Sequence, residues 1–266
     1  MDTLLIFFLG ASLGSFLGLV LDRFPEKSII WPGSQCDNCG KALAIRDLIP
    51  ILSEVANGFA CRFCGEKLPV SYCLWELASG LAFWLGWTGL LSWTQVFLIL
   101  VSLLLSLYDL KGQNYPLVII LLAGLTLFLL EGGNTPVLVL LLLGILAQIL
   151  PLGIGEGDLY YLAFLALALD LYSLLWIIQL GSLLAILFII SRKEKRAVPF
   201  LPFLSLAYLL ELVLLRMGWI SALSMEYQVQ VWRNYIMTTA FLVGQFNQYF
   251  YSSMWLCIYL ASHSVS

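Results

Sequence analysis

The sequence predicts an all-α polytopic membrane protein with about eight transmembrane helices and one small soluble lobe. Hydrophobic residues make up 61% of the 266 residues and charged residues only 11%, whereas globular domains are about half apolar and about a quarter charged. A lipid bilayer accepts this much outward-facing apolar surface, and a soluble core of this size does not. The net charge of −3 argues against nucleic acid as a partner.

Apolar stretches approaching 20 residues define the predicted spans. No basic segment precedes the first stretch, so we interpret residues 1–21 as a retained helix and not as a targeting segment. Residues 22–71 form the soluble lobe, residues 72–217 the transmembrane bundle, and the aromatic residues 225–266 an atypical extension or one more span. The candidate spans are 3–21, 72–91, 94–108, 116–130, 135–151, 159–171, 173–190 and 199–217.

Lysine and arginine predict the orientation of the chain. Six of them lie in the lobe, and four more lie in the segment RKEKR at 192–196. By the positive-inside rule both regions are cytoplasmic, and the six spans between them are consistent with this, so the N-terminus lies outside. Asp109 follows the third span and Asp158 follows the fifth, so both carboxylates are expected at the cytoplasmic end of the bundle.

The lobe carries two CxxC pairs, each followed by a glycine and separated by 21 residues. Two intervening residues let one tight turn aim both sulfurs at a single ion, and four thiolates suit tetrahedral zinc. Two disulfides are the alternative, which a reducing cytoplasm disfavours. A lobe this short has too small a core to be stable by itself, so a metal ion or disulfides are expected to stabilise it. The predicted zinc ligands are Cys36, Cys39, Cys61 and Cys64.

Two aspartates are the candidate catalytic pair. Asp158 ends a glycine-rich entry, GEGD, that gives water and a peptide backbone access to the carboxylate; an N-cap is its alternative role. The alternative role for Asp109 is that of a loop residue that pairs with Lys111. Two carboxylates that share a proton can activate water and polarise a carbonyl. Because His263 is the only histidine, a Ser–His or Cys–His site is excluded.

Four sequence blocks resemble the type IV prepilin peptidase family. They are GASLGSFLGLVLDRFP at 10–25, the CxxC pairs enclosing DLIPILS at 47–53, SLYDLKGQNYP at 106–116, and GEGD at 155–158. Within the first block, the small residues Gly10 and Gly14 have a spacing that allows close helix packing in lipid. Two departures from the family are Tyr160, where a lysine is usual, and Leu117, where a polar residue is common.

The resemblance implies a bifunctional enzyme of the bacterial cell membrane. It would cleave the leader of prepilins or pseudopilins at the cytoplasmic face, with Asp109 and Asp158 as catalytic residues. It would then methylate the new N-terminus with S-adenosylmethionine as methyl donor. Glu76 matches a family glutamate and is a candidate near the methylation site, either contacting the substrate amine or pairing within the buried helices. A non-enzymatic transporter, or a scaffold with a zinc lobe, is the alternative function.

Overall fold

The computed structural model describes residues 1–112, 116–150, 155–192 and 198–216. The predicted extension at 225–266, with Cys257 and His263, lies outside these residues. So do residues 193–197 of the basic segment and the residues 151–154 that precede GEGD.

The regular structure of these residues is helical, apart from two isolated bridges in the lobe. Each predicted span coincides with one helix, so the apolar pattern located the helices correctly. The lobe adds a short 3₁₀ helix, Ile45–Leu48, and the helix α2. The α-helices are α1 (Asp2–Arg23), α2 (Leu52–Ala56), α3 (Val70–Trp87), α4 (Trp93–Gly112), α5 (Leu117–Glu131), α6 (Thr135–Ile149), α7 (Glu156–Ala166), α8 (Leu171–Arg192) and α9 (Leu201–Arg216).

Three helices in the described part of the chain, α1, α4 and α8, are long and apolar enough to cross a membrane. Shorter apolar helices lie at Leu117–Glu131, Thr135–Ile149 and Leu201–Leu214. These lengths support a membrane environment for the chain, and the number of eight spans stays a prediction.

The chain divides into two compact units, Met1–Ile119 and Ile120–Ser266. In the first unit, α1 packs closely against α3 because glycines line the contact. A Cβ atom on Gly10 would lie 2.6 Å from the Cβ of Phe83, and one on Gly14 would lie 2.6 Å from the Oγ of Ser79. This confirms that Gly10 and Gly14 serve close helix packing.

The second unit contains α5 to α9, with α6 packed on α7 and α8 packed on α9. Gly144 of α6 makes room for the ring of Tyr160, since a Cβ there would lie 2.7 Å from the Cε1 of that tyrosine. Tyr160, at the position where the family usually has lysine, therefore packs against a neighbouring helix. Within α7 the last six residues, Tyr161 to Ala166, are all buried.

Candidate functional site

The four lobe cysteines lie on two turns of the same design. In the first turn the N–H of Cys36 donates to the carbonyl of Lys41 at 3.0 Å, and in the second the N–H of Cys61 donates to the carbonyl of Glu66 at 2.8 Å. Gly40 and Gly65 occupy equivalent places with φ of +67° and +73°, a backbone region that glycine adopts without steric strain.

The two turns form an internal repeat that the sequence analysis missed. An isolated bridge closes each turn, Gln35 with Ala42 and Ala60 with Lys67. The paired octapeptides CDNCGKAL (36–43) and CRFCGEKL (61–68) share their cysteines, glycine and leucine. This spacing was the available signal for the repeat.

The turns bring the four sulfur atoms together. All four Sγ atoms lie within 4.8 Å of one another, and those of Cys36 and Cys64 are 3.8 Å apart. A disulfide would need a sulfur–sulfur distance of about 2.05 Å, whereas ligands 2.3 Å from a tetrahedral zinc are about 3.8 Å apart. The cysteines are free thiols that could hold a metal ion, and their donor set fits zinc.

Backbone geometry favours thiolate formation at one of the four cysteines. Hydrogen bonds from the backbone of Cys64 and then of Phe63 lower the pKa of the Cys61 thiol to about 7. Because the thiolate is the form that binds a metal, the folded turn prepares one ligand at neutral pH.

Few apolar contacts hold the lobe together. Between residues 24 and 69 only Pro50 and Cys61 are buried. Polar contacts join the parts of the lobe instead. Arg62 of the second turn makes a salt bridge of 3.1 Å with Asp47 of the 3₁₀ helix, and the amide of Asn38 in the first turn donates to Glu66 in the second at 3.4 Å. Small lobes with so little buried surface are commonly stabilised by a metal ion or by disulfides.

Glu76 lies where the lobe meets α3. Its side chain is 6% exposed, and its Oε2 accepts a hydrogen bond of 2.6 Å from the N–H of Ile51. Burial, and secondarily the charge of Glu76, raise the pKa of Glu54 in α2 to about 7. The partner of Glu76 is therefore the lobe backbone, and its link to methylation stays a prediction.

The alternative interpretation of Asp109 as a loop residue is wrong. Helix α4 extends to Gly112 and includes Asp109, whose side chain is 8% exposed. Lys111 forms its salt bridge with Asp22 of α1, at 2.5 Å. Asp109 therefore lies buried in the last turn of a membrane helix.

Asp158 lies in the first turn of α7, and Gly155 is the N-cap of that helix. The N-cap alternative for Asp158 is therefore wrong. A Cβ on Gly155 would lie 2.9 Å from the Oδ2 of Asp158. Glycine at the first position of GEGD thus leaves the space that the aspartate side chain occupies.

The structure brings the four predicted zinc ligands together within one unit. Asp109 belongs to the first unit and Asp158 to the second, so their action as a catalytic pair stays a prediction. The sequence analysis also missed the contacts that Tyr108 and Lys111, on either side of Asp109, make with residues 20–24, because these partners lie far away in the chain.

A family model described as the bacterial peptidase A24 N-terminal domain matches residues 8–89. This range covers most of α1, the whole lobe and α3. No solved structure matches the chain.

Curated relatives carry the name prepilin leader peptidase/N-methyltransferase. The Myxococcus xanthus relative is 42% identical over 120 residues, which are 42% of this chain and 35% of the relative. The Klebsiella pneumoniae relative is 32% identical over 118 residues, 41% of this chain and 52% of the relative. The Bacillus subtilis relative is 36% identical over 80 residues, 30% of this chain and 32% of the relative. The matches thus span about a third to a half of these relatives.

Proposed function

We propose that this chain, which belongs to the type IV prepilin peptidase family, is a membrane aspartyl endopeptidase that removes prepilin or pseudopilin leaders. The similarity of residues 8–89 to the family's N-terminal domain carries the proposal. The free thiol cluster, which matches the family's cysteine pairs, supports it. The sequence blocks around Asp109 and Asp158 provide the two carboxylates of the proposed catalytic pair.

In this mechanism Asp109 and Asp158 share one proton. The ionised carboxylate takes a proton from water, and the neutral one donates a hydrogen bond to the carbonyl of the peptide bond to be cut. Repulsion between two nearby carboxylates keeps that second proton bound at neutral pH. The burial of Asp109 and the space that Gly155 leaves for the side chain of Asp158 support these roles.

The lobe has a structural role in the proposal. Cys36, Cys39, Cys61 and Cys64 hold one zinc ion, which fixes the two turns relative to each other. The name of the curated relatives supports a second activity, N-methylation of the new N-terminus. S-adenosylmethionine is then the methyl donor, and Glu76 at the junction of lobe and α3 lies near that reaction.

The protein would cross the bacterial inner membrane about eight times. The basic residues of the lobe and of the 192–196 segment place both on the cytoplasmic side, with the N-terminus outside. The catalytic aspartates then face the cytoplasm, where prepilin leaders are accessible. The bilayer and the pilin precursor are its partners, and nucleic acid is not.

The direct test is incubation of the purified full-length chain with a prepilin, followed by mass analysis of the pilin N-terminus. We expect loss of the leader and, with S-adenosylmethionine added, one further methyl group on the new amine. The Asp158→Asn variant is the matched control and should leave the leader attached. An intact prepilin after incubation with folded, metal-loaded wild-type protein contradicts the proposal.

A further inference from the structure

The residue before Asp109 is anchored to another helix. The ring of Tyr108 is 6% exposed, and its hydroxyl lies 2.9 Å from the carbonyl of Val20 and 3.0 Å from that of Phe24. Val20 lies in the last turn of α1 and Phe24 is its C-cap; the carbonyl of Val20 also accepts the N–H of Phe24 at 2.8 Å. The hydroxyl therefore connects the end of α4 to the end of α1.

A second contact lies one helical turn further along α4. Lys111 forms its salt bridge with Asp22, at 2.5 Å. The hydroxyl of Tyr72 in α3 donates to the other carboxylate oxygen of Asp22. Asp22 therefore joins the ends of α1, α3 and α4.

These two contacts fix the rotation of α4. Tyr108 and Lys111 are three positions apart, so they lie on one face of the helix. Asp109 follows Tyr108 by one position and points about 100° away from it around the axis. The last turn of a helix frays easily, and two contacts on one face hold the direction of a side chain on the neighbouring face.

We propose that Tyr108 and Lys111, with Asp22 as the partner of Lys111, are positioning residues that set the direction of Asp109. This inference rests on the proposed peptidase function, in which Asp109 acts on the substrate. A misdirected carboxylate lowers the rate of the chemical step, because small displacements of a catalytic group cost large factors in rate. Substrate binding elsewhere on the protein is unaffected.

A charge-reversal cycle tests the Lys111 contact. Asp22→Lys and Lys111→Asp should each lower kcat for leader cleavage about tenfold and change KM less than about twofold. The double variant restores the opposite charges, so its kcat should return to within about threefold of the wild type. Glu26→Lys reverses an exposed charge in the same segment and should leave kcat unchanged. A double variant as slow as the product of the two single effects overturns the inference.

Tyr108→Phe tests the other contact. It keeps the buried ring and removes only the hydroxyl, so kcat should fall about tenfold with KM nearly unchanged. Wild-type kcat in this folded variant overturns the role of Tyr108. A larger KM with unchanged kcat overturns it as well, because the residue would then bind substrate.

A cross-linking experiment separates failure of this inference from failure of the proposed function. A water-soluble carbodiimide joins a lysine and a carboxylate that touch, forming an amide without any need for activity. The wild type should give a peptide linked between Asp22 and Lys111, which Asp22→Asn lacks. Absence of this link in the wild type overturns the contact. Its presence in a wild type that cuts no prepilin overturns the proposed function, and the positioning role with it.

Discussion

The lobe and the α1–α3 helix pair lie in the same unit, but different interactions stabilise each of them. In the lobe only Pro50 and Cys61 are buried between residues 24 and 69. The helix pair buries a continuous row of small residues, and Gly14 lies so close to Ser79 that a Cβ atom would not fit. With the proposed zinc ion as the main support of the lobe, the lobe and the helix pair should unfold under different perturbations.

The difference bears on the two proposed activities. In the proposed function, cleavage would require Asp109, Asp158 and the helices that carry them, whereas methylation would require a cofactor site and a path for the new amine near the lobe. Glu76 marks the boundary, because it lies on α3 and accepts its hydrogen bond from the lobe residue Ile51.

Asp109→Asn and Asp158→Asn should each lower leader cleavage by about 100- to 10,000-fold, the usual range for loss of general acid–base catalysis. Asparagine keeps the size of the side chain and removes the titrating proton, so neither the lobe nor the helix pair should change. Cleavage kinetics, metal content and circular dichroism measure the three outcomes. Both variants should still methylate a pilin whose leader is already removed. Near-normal cleavage by either variant refutes the catalytic pair.

The double variant Cys36→Ser/Cys39→Ser should lose the metal ion and unfold the lobe, because metal binding supplies roughly 10 kcal/mol of folding free energy in small zinc domains. Methylation should disappear first, with some cleavage retained. Metal analysis and hydrogen exchange of residues 24–69 against α1 report the two regions separately. Cys73→Ser is the control, since Cys73 lies outside the sulfur cluster, and it should keep one zinc per chain. Equal metal in the double variant and the wild type contradicts the site.

Gly14→Ala should destabilise the helix pair by about 1–3 kcal/mol, the usual effect of overpacking. Its Cβ would lie 2.6 Å from the Oγ of Ser79, whereas a Cβ on Gly18 would have its nearest neighbour 3.6 Å away, at Trp75. Gly18→Ala is therefore the matched control and should be neutral or stabilise α1 by up to about 1 kcal/mol. Unfolding in detergent measures both, and metal content should stay constant. Equal stabilities would mean that α1 and α3 are not in close contact.

Glu54→Gln should remove a pH dependence from the lobe. Burial, with Glu76 second, raises the pKa of Glu54 from 4.5 to about 7 in the folded protein. The folded state thus favours the neutral form of Glu54. The contribution of this neutral carboxyl to the stability of the lobe is complete below about pH 4.5 and is lost as the pH rises through 7. The α2 amides of the wild type should lose protection from exchange progressively between about pH 4.5 and pH 7, after correction for intrinsic rates. Glu54→Gln should stay protected, and the exposed Glu26→Gln should behave like the wild type. The same loss of protection in Glu54→Gln rules Glu54 out as the cause.

The local pattern of the chain was sufficient to predict the helices and the cysteine site. Each apolar stretch became a helix, since the length of an apolar stretch and its lack of charged residues are local properties. The cysteine spacing predicted a cluster for the same reason, because each CxxC turn forms from adjacent residues. The resemblance to the family followed from four short blocks, two of which lie within residues 8–89, the range that matches the bacterial peptidase A24 N-terminal domain.

The sequence by itself thus determined that this is a helical membrane chain with a four-cysteine lobe and two candidate aspartates. Only the tertiary structure decided which residues touch across long separations. It placed Lys111 on Asp22, 89 positions away, and Tyr108 on the end of α1. It also put Asp109 inside a helix that continues four residues past the predicted end of its span. Such contacts depend on how separate helices pack, and no local periodicity or spacing encodes the partner of a side chain on a distant helix.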